Sequence, residues 1–114
     1  MAGCLFCNIV LGKTPAQIVF DNAHVLAFKD IRPVAPVHAL VIPKLHVPGI
    51  HEVQPEHAEA LGQMLVAARE VAEQLGLASG GYRLVINQGA DAGQSVFHLH
   101  CHVLGGRPMA WPPG

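Results

Sequence analysis

His98-Leu99-His100-Cys101-His102-Val103-Leu104 decides the reading of this chain. Imidazoles alternate with apolar residues. On a β-strand, successive side chains point to opposite faces. His98, His100 and His102 then share one face, while Leu99, Cys101 and Val103 face a core. A strand rises about 3.4 Å per residue, which sets His98 and His102 roughly 13 Å apart at the backbone. Zinc–nitrogen bonds are only about 2.0–2.1 Å long. Neighbours in the row can share an ion, but all three are not expected to do so without a bulge. The roles of the three rings are therefore expected to divide. An exposed strand face that happens to be His-rich is the plain alternative. It leaves unexplained the apolar flanks and the Gly-rich loop from Gly89 to Ser95. His24, His51 and His57 stand alone and read as surface residues.

Composition narrows the class. With 114 residues, 51% of them apolar and 13% charged, the chain is expected to form one domain, 1–114, with its own core. A formal net charge of −1 gives no field to hold a nucleic-acid backbone. Nucleic acid is thus excluded as a partner, and a phosphate ligand is expected to be small. No apolar run is long enough to span a bilayer. The start lacks the basic region and continuous apolar segment of a secretion signal. A cytoplasmic protein free of membranes is expected. Three cysteines, an odd number, argue against a simple disulfide framework.

The elements follow from periodicity and punctuation. Cys4 to Leu11 reads as a short helix ending near Gly12, and Pro15 then breaks the chain. Ile18–Phe20 and Val25–Phe28 read as strands joined by a turn at Asp21-Asn22. His38–Pro43 reads as a central strand. Pro55 suits a first helical position, with Glu56 and Glu59 close to the positive end of the helix. Ala58, Leu61, Leu65, Ala68, Val71 or Ala72, and Leu75 keep helical spacing, and Gly76 can end the run. That stripe is expected to pack on the sheet or on a second subunit. Tyr82–Ile86 and Phe97–Leu104 are the last strands, and 105–114 is a C-terminal tail. The order predicts an α+β fold: an antiparallel five-stranded sheet with one long and one short helix.

The row of histidines resembles the signature of the histidine triad family of nucleotide hydrolases and transferases. Phe28-Lys29-Asp30-Ile31, Pro36-Val37-His38 and Leu40-Val41-Ile42-Pro43-Lys44 are similar to the family's central strands. Gly93-Gln94-Ser95-Val96-Phe97 is similar to its phosphate loop. The tail, Gly105-Gly106-Arg107-Pro108-Met109-Ala110-Trp111-Pro112-Pro113-Gly114, resembles the C-terminus of the Hint branch, the histidine triad nucleotide-binding proteins. Cys4-Leu5-Phe6-Cys7 departs from animal Hint proteins and resembles many bacterial relatives.

The resemblance implies hydrolysis of nucleoside phosphoramidates, which yields a purine nucleoside monophosphate, AMP or GMP, and an amine. His100 is the implied nucleophile, with a main-chain carbonyl at His98 holding the proton on its far nitrogen. A protonated leaving amine needs a general acid. His38 and His102 both qualify, and the duty is not divided here. Asn87, Gln94 and Ser95 match phosphate contacts, although Gly-Gln-Ser alone is an ordinary turn. Asp30 would hold the ribose hydroxyls; its plain alternative is a turn residue ahead of Pro33. Phe6, Ile9, Phe28 and Ile31 would line the base pocket, and without the resemblance they read as core.

By the same resemblance, Cys4, Cys7, His46 and His98 would bind a structural zinc, with no organic cofactor. The alternative is two reduced thiols packed in the helix. Cys101 reads as core. The chain is expected to form a homodimer, with Trp111 near the partner's active site; a frayed end is the other reading. Dinucleoside polyphosphate hydrolysis, the habit of the Fhit branch, is the rival chemistry. A nucleotide-binding adaptor and a metal-storage module are rivals from other classes.

Overall fold

The computed structural model describes residues 3–114. Its order is α1 (Leu5–Val10), β1 (Ile18–Asp21), β2 (Val25–Lys29), β3 (Val37–Pro43), α2 (Ala58–Gln74), β4 (Tyr82–Val85) and β5 (Cys101–Gly105), with single 3-10 turns at Ile50–Glu52, Pro55–His57 and Ala90–Ala92. The strands form one five-stranded antiparallel sheet in the order β1-β2-β3-β5-β4. The α+β expectation therefore holds in class, strand number and helix number.

Both faces of the sheet's centre are covered. Val25, Ala27, Ala39, Val41, Cys101 and Val103 pack with Met64, Ala68, Val71 and Ala72 of α2. Leu26, Phe28, Leu40 and Ile42 alternate with the first four of these and pack with Phe6 and Ile9 of α1. A strand buried on both sides has no polar face to show, so Val25–Phe28 and Ala39–Pro43 read as unbroken apolar runs. The same alternation places His38, His100 and His102 on the α1 side.

The turns follow local chemistry. Asn22 Oδ1 accepts from the N–H groups of His24 and Val25 at 2.9 and 2.8 Å, which closes the β1–β2 hairpin. At the end of α2, Gly76 takes φ +81°. The N–H of Leu77 then bonds Ala72 O at 2.9 Å and that of Gly76 bonds Glu73 O at 3.1 Å, a Schellman stop. His57 is more than a plain surface residue: its ring accepts from Gln54 N at 2.9 Å and caps the turn before α2.

Two expectations shift. The buried stripe of α2 runs through Met64, Ala67, Ala68, Val71 and Ala72, while Leu65 is 42% exposed. Helical spacing from Leu61 admits either 64 or 65, and the line of the sheet selects 64. The last strand begins at Cys101, not Phe97. Its ladder partner β3 ends at Pro43, which has no N–H to donate. Beyond Cys101 the chain leaves the ladder, and Leu99 N bonds Val47 O at 2.7 Å.

Met64 is fully buried between α2 and the sheet. Met64→Ala is expected to cost about 2–5 kcal/mol in urea unfolding. A loss under about 0.5 kcal/mol would contradict this packing.

Candidate active site

The site is built from rings whose protons are set by main-chain partners. His98 is wholly buried, and its Nε2 lies 2.7 Å from Pro43 O. A carbonyl only accepts, so Nε2 carries the proton and Nδ1 is left with its lone pair. Two residues on, His100 Nδ1 donates to His98 O at 2.7 Å. His100 Nε2 is thereby the bare nitrogen. Phe6 meets both rings edge-on, with centroids 6.0 Å from His98 and 5.2 Å from His100.

The second pair obeys the same logic from the donor side. Val34 N donates to His38 Nδ1 at 3.1 Å, so the proton of a neutral His38 sits on Nε2. That nitrogen faces His102 Nδ1 at 2.9 Å and Asp30 Oδ2 at 3.3 Å. His102 Nδ1 then accepts, and its own proton lies on Nε2. Burial, with His100 and His38 nearby, pushes His102 down to about 4, against the pull of Asp30. Burial also lowers His38, again opposed by Asp30, and lowers His98. These rings are neutral near pH 7, as the proton assignments require.

A groove of about 360 Å³ opens over the rings, in the size range of small-molecule sites. Phe6, Ile9, Phe28, Asp30, His100 and His102 line it. Ile31, 91% exposed, stands at its edge. Ser95 borders the groove and shares a neighbouring depression with Asn87, His38 and His102. The structure therefore brings together most of the residues singled out from sequence.

Two residues stand elsewhere. Gln94 spends its whole amide on the main chain: Oε1 accepts from Gly89 N at 2.9 Å, and Nε2 donates to Pro48 O at 2.9 Å and Val96 O at 3.2 Å. It shapes the loop instead of presenting its side chain to a ligand. Trp111 is 80% exposed and lies against Arg83, whose guanidinium carbon is 5.9 Å from the ring centre. It lines no part of its own chain's groove. Sequence reasoning missed Leu40 and Val96, which line the groove, and Val34 and Pro43, which act through the backbone. Leu40 was readable from parity, because it faces His102 in the ladder.

Behind His98 lies the second cluster. His98 Nδ1 is 3.5 Å from both Cys4 Sγ and Cys7 Sγ and 3.2 Å from His46 Nδ1. Cys7 Sγ is 3.2 Å from His46 Nδ1. A tetrahedral ion with Zn–N near 2.0–2.1 Å and Zn–S near 2.3 Å spreads its donors about 3.3–3.8 Å apart. The four donor atoms all lie within 4.8 Å of one another and fit such an ion. Burial raises the Cys7 thiol, the proximity of Cys4 adding to it, so a bound cation would have to displace that proton. Cys101 is core: burial pushes its thiol up to about 11. All three cysteines are free.

A two-sided antiparallel sheet carrying alternating histidines beside a groove of small-molecule size defines a histidine triad type of protein. Residues 12–109 match the HIT domain, and the chain belongs to the HIT family. It is 51% identical to an uncharacterized HIT-like protein of Synechocystis sp. over 110 residues, 96% of each chain. It is 45% identical to the purine nucleoside phosphoramidase of Escherichia coli K12 over 105 residues, 92% of this chain and 88% of that one. Its fold superposes on a HIT family hydrolase from Legionella pneumophila with TM-score 0.96 and 49% identity, covering 98% of this chain and 100% of the other.

His102 yields a test that needs no substrate. Its folded value near 4 lies below the unfolded value near 6.5. Between these limits the unfolded chain binds more protons, so stability falls as pH drops through that window. NMR titration is expected to show His102 neutral at pH 5.5, and the melting temperature is expected to fall from pH 6.5 to 4. A His102 midpoint near 6.5 would contradict the burial described.

Proposed function

We propose that the protein hydrolyses nucleoside phosphoramidates in two steps through a nucleotidyl-histidine. The observation that carries this reading is the 2.7 Å bond from His100 Nδ1 to His98 O, which leaves Nε2 as a bare nucleophile on the floor of the groove. The likeness to a purine nucleoside phosphoramidase supports the choice of substrate.

The site chemistry follows. A bound phosphate brings negative charge beside the neutral His38–His102 pair, and the pair takes up one proton. His100 Nε2 attacks phosphorus, the P–N bond breaks with its electrons on nitrogen, and the amine leaves with that proton. Water then bonds to phosphorus and gives a proton back to the pair, and the bond to His100 Nε2 breaks. A nucleoside monophosphate is released. Backbone N–H groups of the Gly89–Ser95 loop, with Ser95 and Asn87, hold the phosphoryl oxygens without a formal cation. Asp30 receives the ribose hydroxyls, and Phe6, Ile9, Phe28 and Ile31 enclose a purine, as in AMP, GMP and their phosphoramidates. Trp111 serves a partner's site in a homodimer, and the protein works in the cytoplasm. Among the described residues no helix is long and apolar enough to cross a membrane.

Cys4, Cys7, His46 and His98 hold a structural zinc in this reading. Zinc there ties α1 to the segment bearing His98 and supplies no Lewis acid to the phosphate. His98 acts on the reaction through its carbonyl, and the reaction uses no organic cofactor.

His100→Ala is expected to lower the turnover of an adenosine phosphoramidate by at least about a thousandfold. Near-normal turnover would reject the mechanism, and a panel that includes diadenosine polyphosphates checks the substrate class. Elemental analysis is expected to find one zinc per chain, lost in Cys7→Ser together with several degrees of melting temperature. A metal-free, fully stable wild-type protein would remove the zinc.

A further inference from the structure

Cys4 and Cys7 are nucleophiles that the phosphoryl chemistry leaves idle. They stand three residues apart, and their sulfurs lie within 4.8 Å of each other. Both converge on one acceptor, His98 Nδ1, at 3.5 Å each. Cys7 N also donates to Cys4 Sγ at 3.3 Å, which turns the Cys4 side chain over the first turn of α1. The two thiols differ in access. Cys4 is half-buried and lines an open depression of about 630 Å³, walled by His46, Pro48, Val96 and Phe97. Cys7 is buried and lines no part of that depression. Cys101, the third cysteine, packs on the α2 side of the sheet, where neither of them reaches it.

We infer that Cys4 and Cys7 form a reversible thiol switch, in which a small hydroperoxide oxidises Cys4 and Cys7 then closes a disulfide. Hydrogen peroxide is the simplest such oxidant, and the depression admits it to Cys4. Cys4 Sγ attacks one peroxide oxygen, the O–O bond breaks, and the other oxygen leaves as water. Cys4 now carries a sulfenic acid. Cys7 Sγ attacks that sulfur, the S–O bond breaks, and the oxygen leaves as a second water with the Cys7 proton. Two thiols and one hydrogen peroxide thus become one disulfide and two waters, with two electrons passing from sulfur to oxygen. Cys4 stands outside the helical backbone, at φ −90° and ψ 117°, so its side chain swings toward Cys7 without unwinding α1.

The consequence falls on the donor cluster. Closure removes two of its four donors and leaves only His46 and His98. In the zinc reading the two thiolates supply the same electrons, solvent supplies the protons, and the ion is released. Phe6 and Ile9 still seat α1 on the sheet, so the groove keeps its wall. The switch stands apart from the phosphoramidate reading, and only the release of metal rests on the zinc reading.

Reduced protein is treated with hydrogen peroxide, and the remaining thiols are counted by maleimide labelling after unfolding, with peptide mapping. The wild type is expected to go from three labels to one, on Cys101, and dithiothreitol is expected to restore all three. In Cys7→Ser, dimedone, which traps sulfenic acids, is expected to label Cys4. In Cys4→Ser, Cys7 is expected to oxidise at least about tenfold more slowly than the wild-type pair. Zinc-loaded protein is expected to release one zinc per disulfide, read with a metal-sensitive dye. Three labels retained in excess peroxide, a disulfide that involves Cys101 or a second chain, or over-oxidation of Cys4 with no bond to Cys7, overturns the proposal. If the wild type holds no zinc, the zinc reading fails, and the thiol count, which needs neither metal nor substrate, still decides the switch.

Discussion

The bond between His98 Nε2–H and Pro43 O is the constraint on which the site depends. β3 ends at a proline, which can accept a hydrogen bond but cannot donate one. A ring from the approaching chain takes that carbonyl. This fixes the rotation of His98, so its Nδ1 turns back to Cys4, Cys7 and His46. It also holds the His98 peptide, whose carbonyl accepts from His100. One buried contact thus turns Nδ1 of His98 to the cysteine–histidine cluster on one side and holds the ring of His100 on the other. Leu99 N bonding Val47 O secures the same segment where no ladder does.

That arrangement explains how α1 survives. A helix of six residues does not persist alone in water. Here Cys4 caps it, its Sγ accepting from Cys7 N at 3.3 Å, while Phe6 and Ile9 bury themselves against β2 and β3. Phe6 also packs edge-on against Phe28 and both rings. The two cysteines face His46 and His98 as a consequence of that seating. The lid of the groove and the donor cluster are therefore two faces of one short element.

Much of this was legible in the sequence, for identifiable reasons. Side-chain alternation puts Leu99, Cys101 and Val103 in the core as read, even though the ladder begins at Cys101, whereas His98 is wholly buried and lies outside the groove that His100 and His102 line. Where the ladder begins was not legible, because it depends on Pro43, over fifty residues away. Met64 and Leu65 satisfy the same helical period, and only the line of the sheet chooses between them. Gln94 looks like a ligand contact because it lies in a glycine-rich loop, yet its amide is consumed by three main-chain groups. Val34 acts through its N–H, which every residue but proline possesses, so no side-chain pattern could mark it.

The two halves of the site solve opposite problems with the same means. A nucleophilic imidazole, the role proposed for His100, must be bare on one nitrogen, and a carbonyl at the other leaves its Nε2 bare. A proton-bearing imidazole must present its N–H, and a backbone N–H at the far end of a two-ring chain achieves this for His102. Side chains in these supporting places would titrate or rotate, whereas peptide groups do neither. Burial then keeps His38 and His102 neutral, because the charged form loses its water and finds only Asp30 in return. In the proposed reaction the His38–His102 pair is uncharged while the groove is empty and gains its proton from the charge of the ligand.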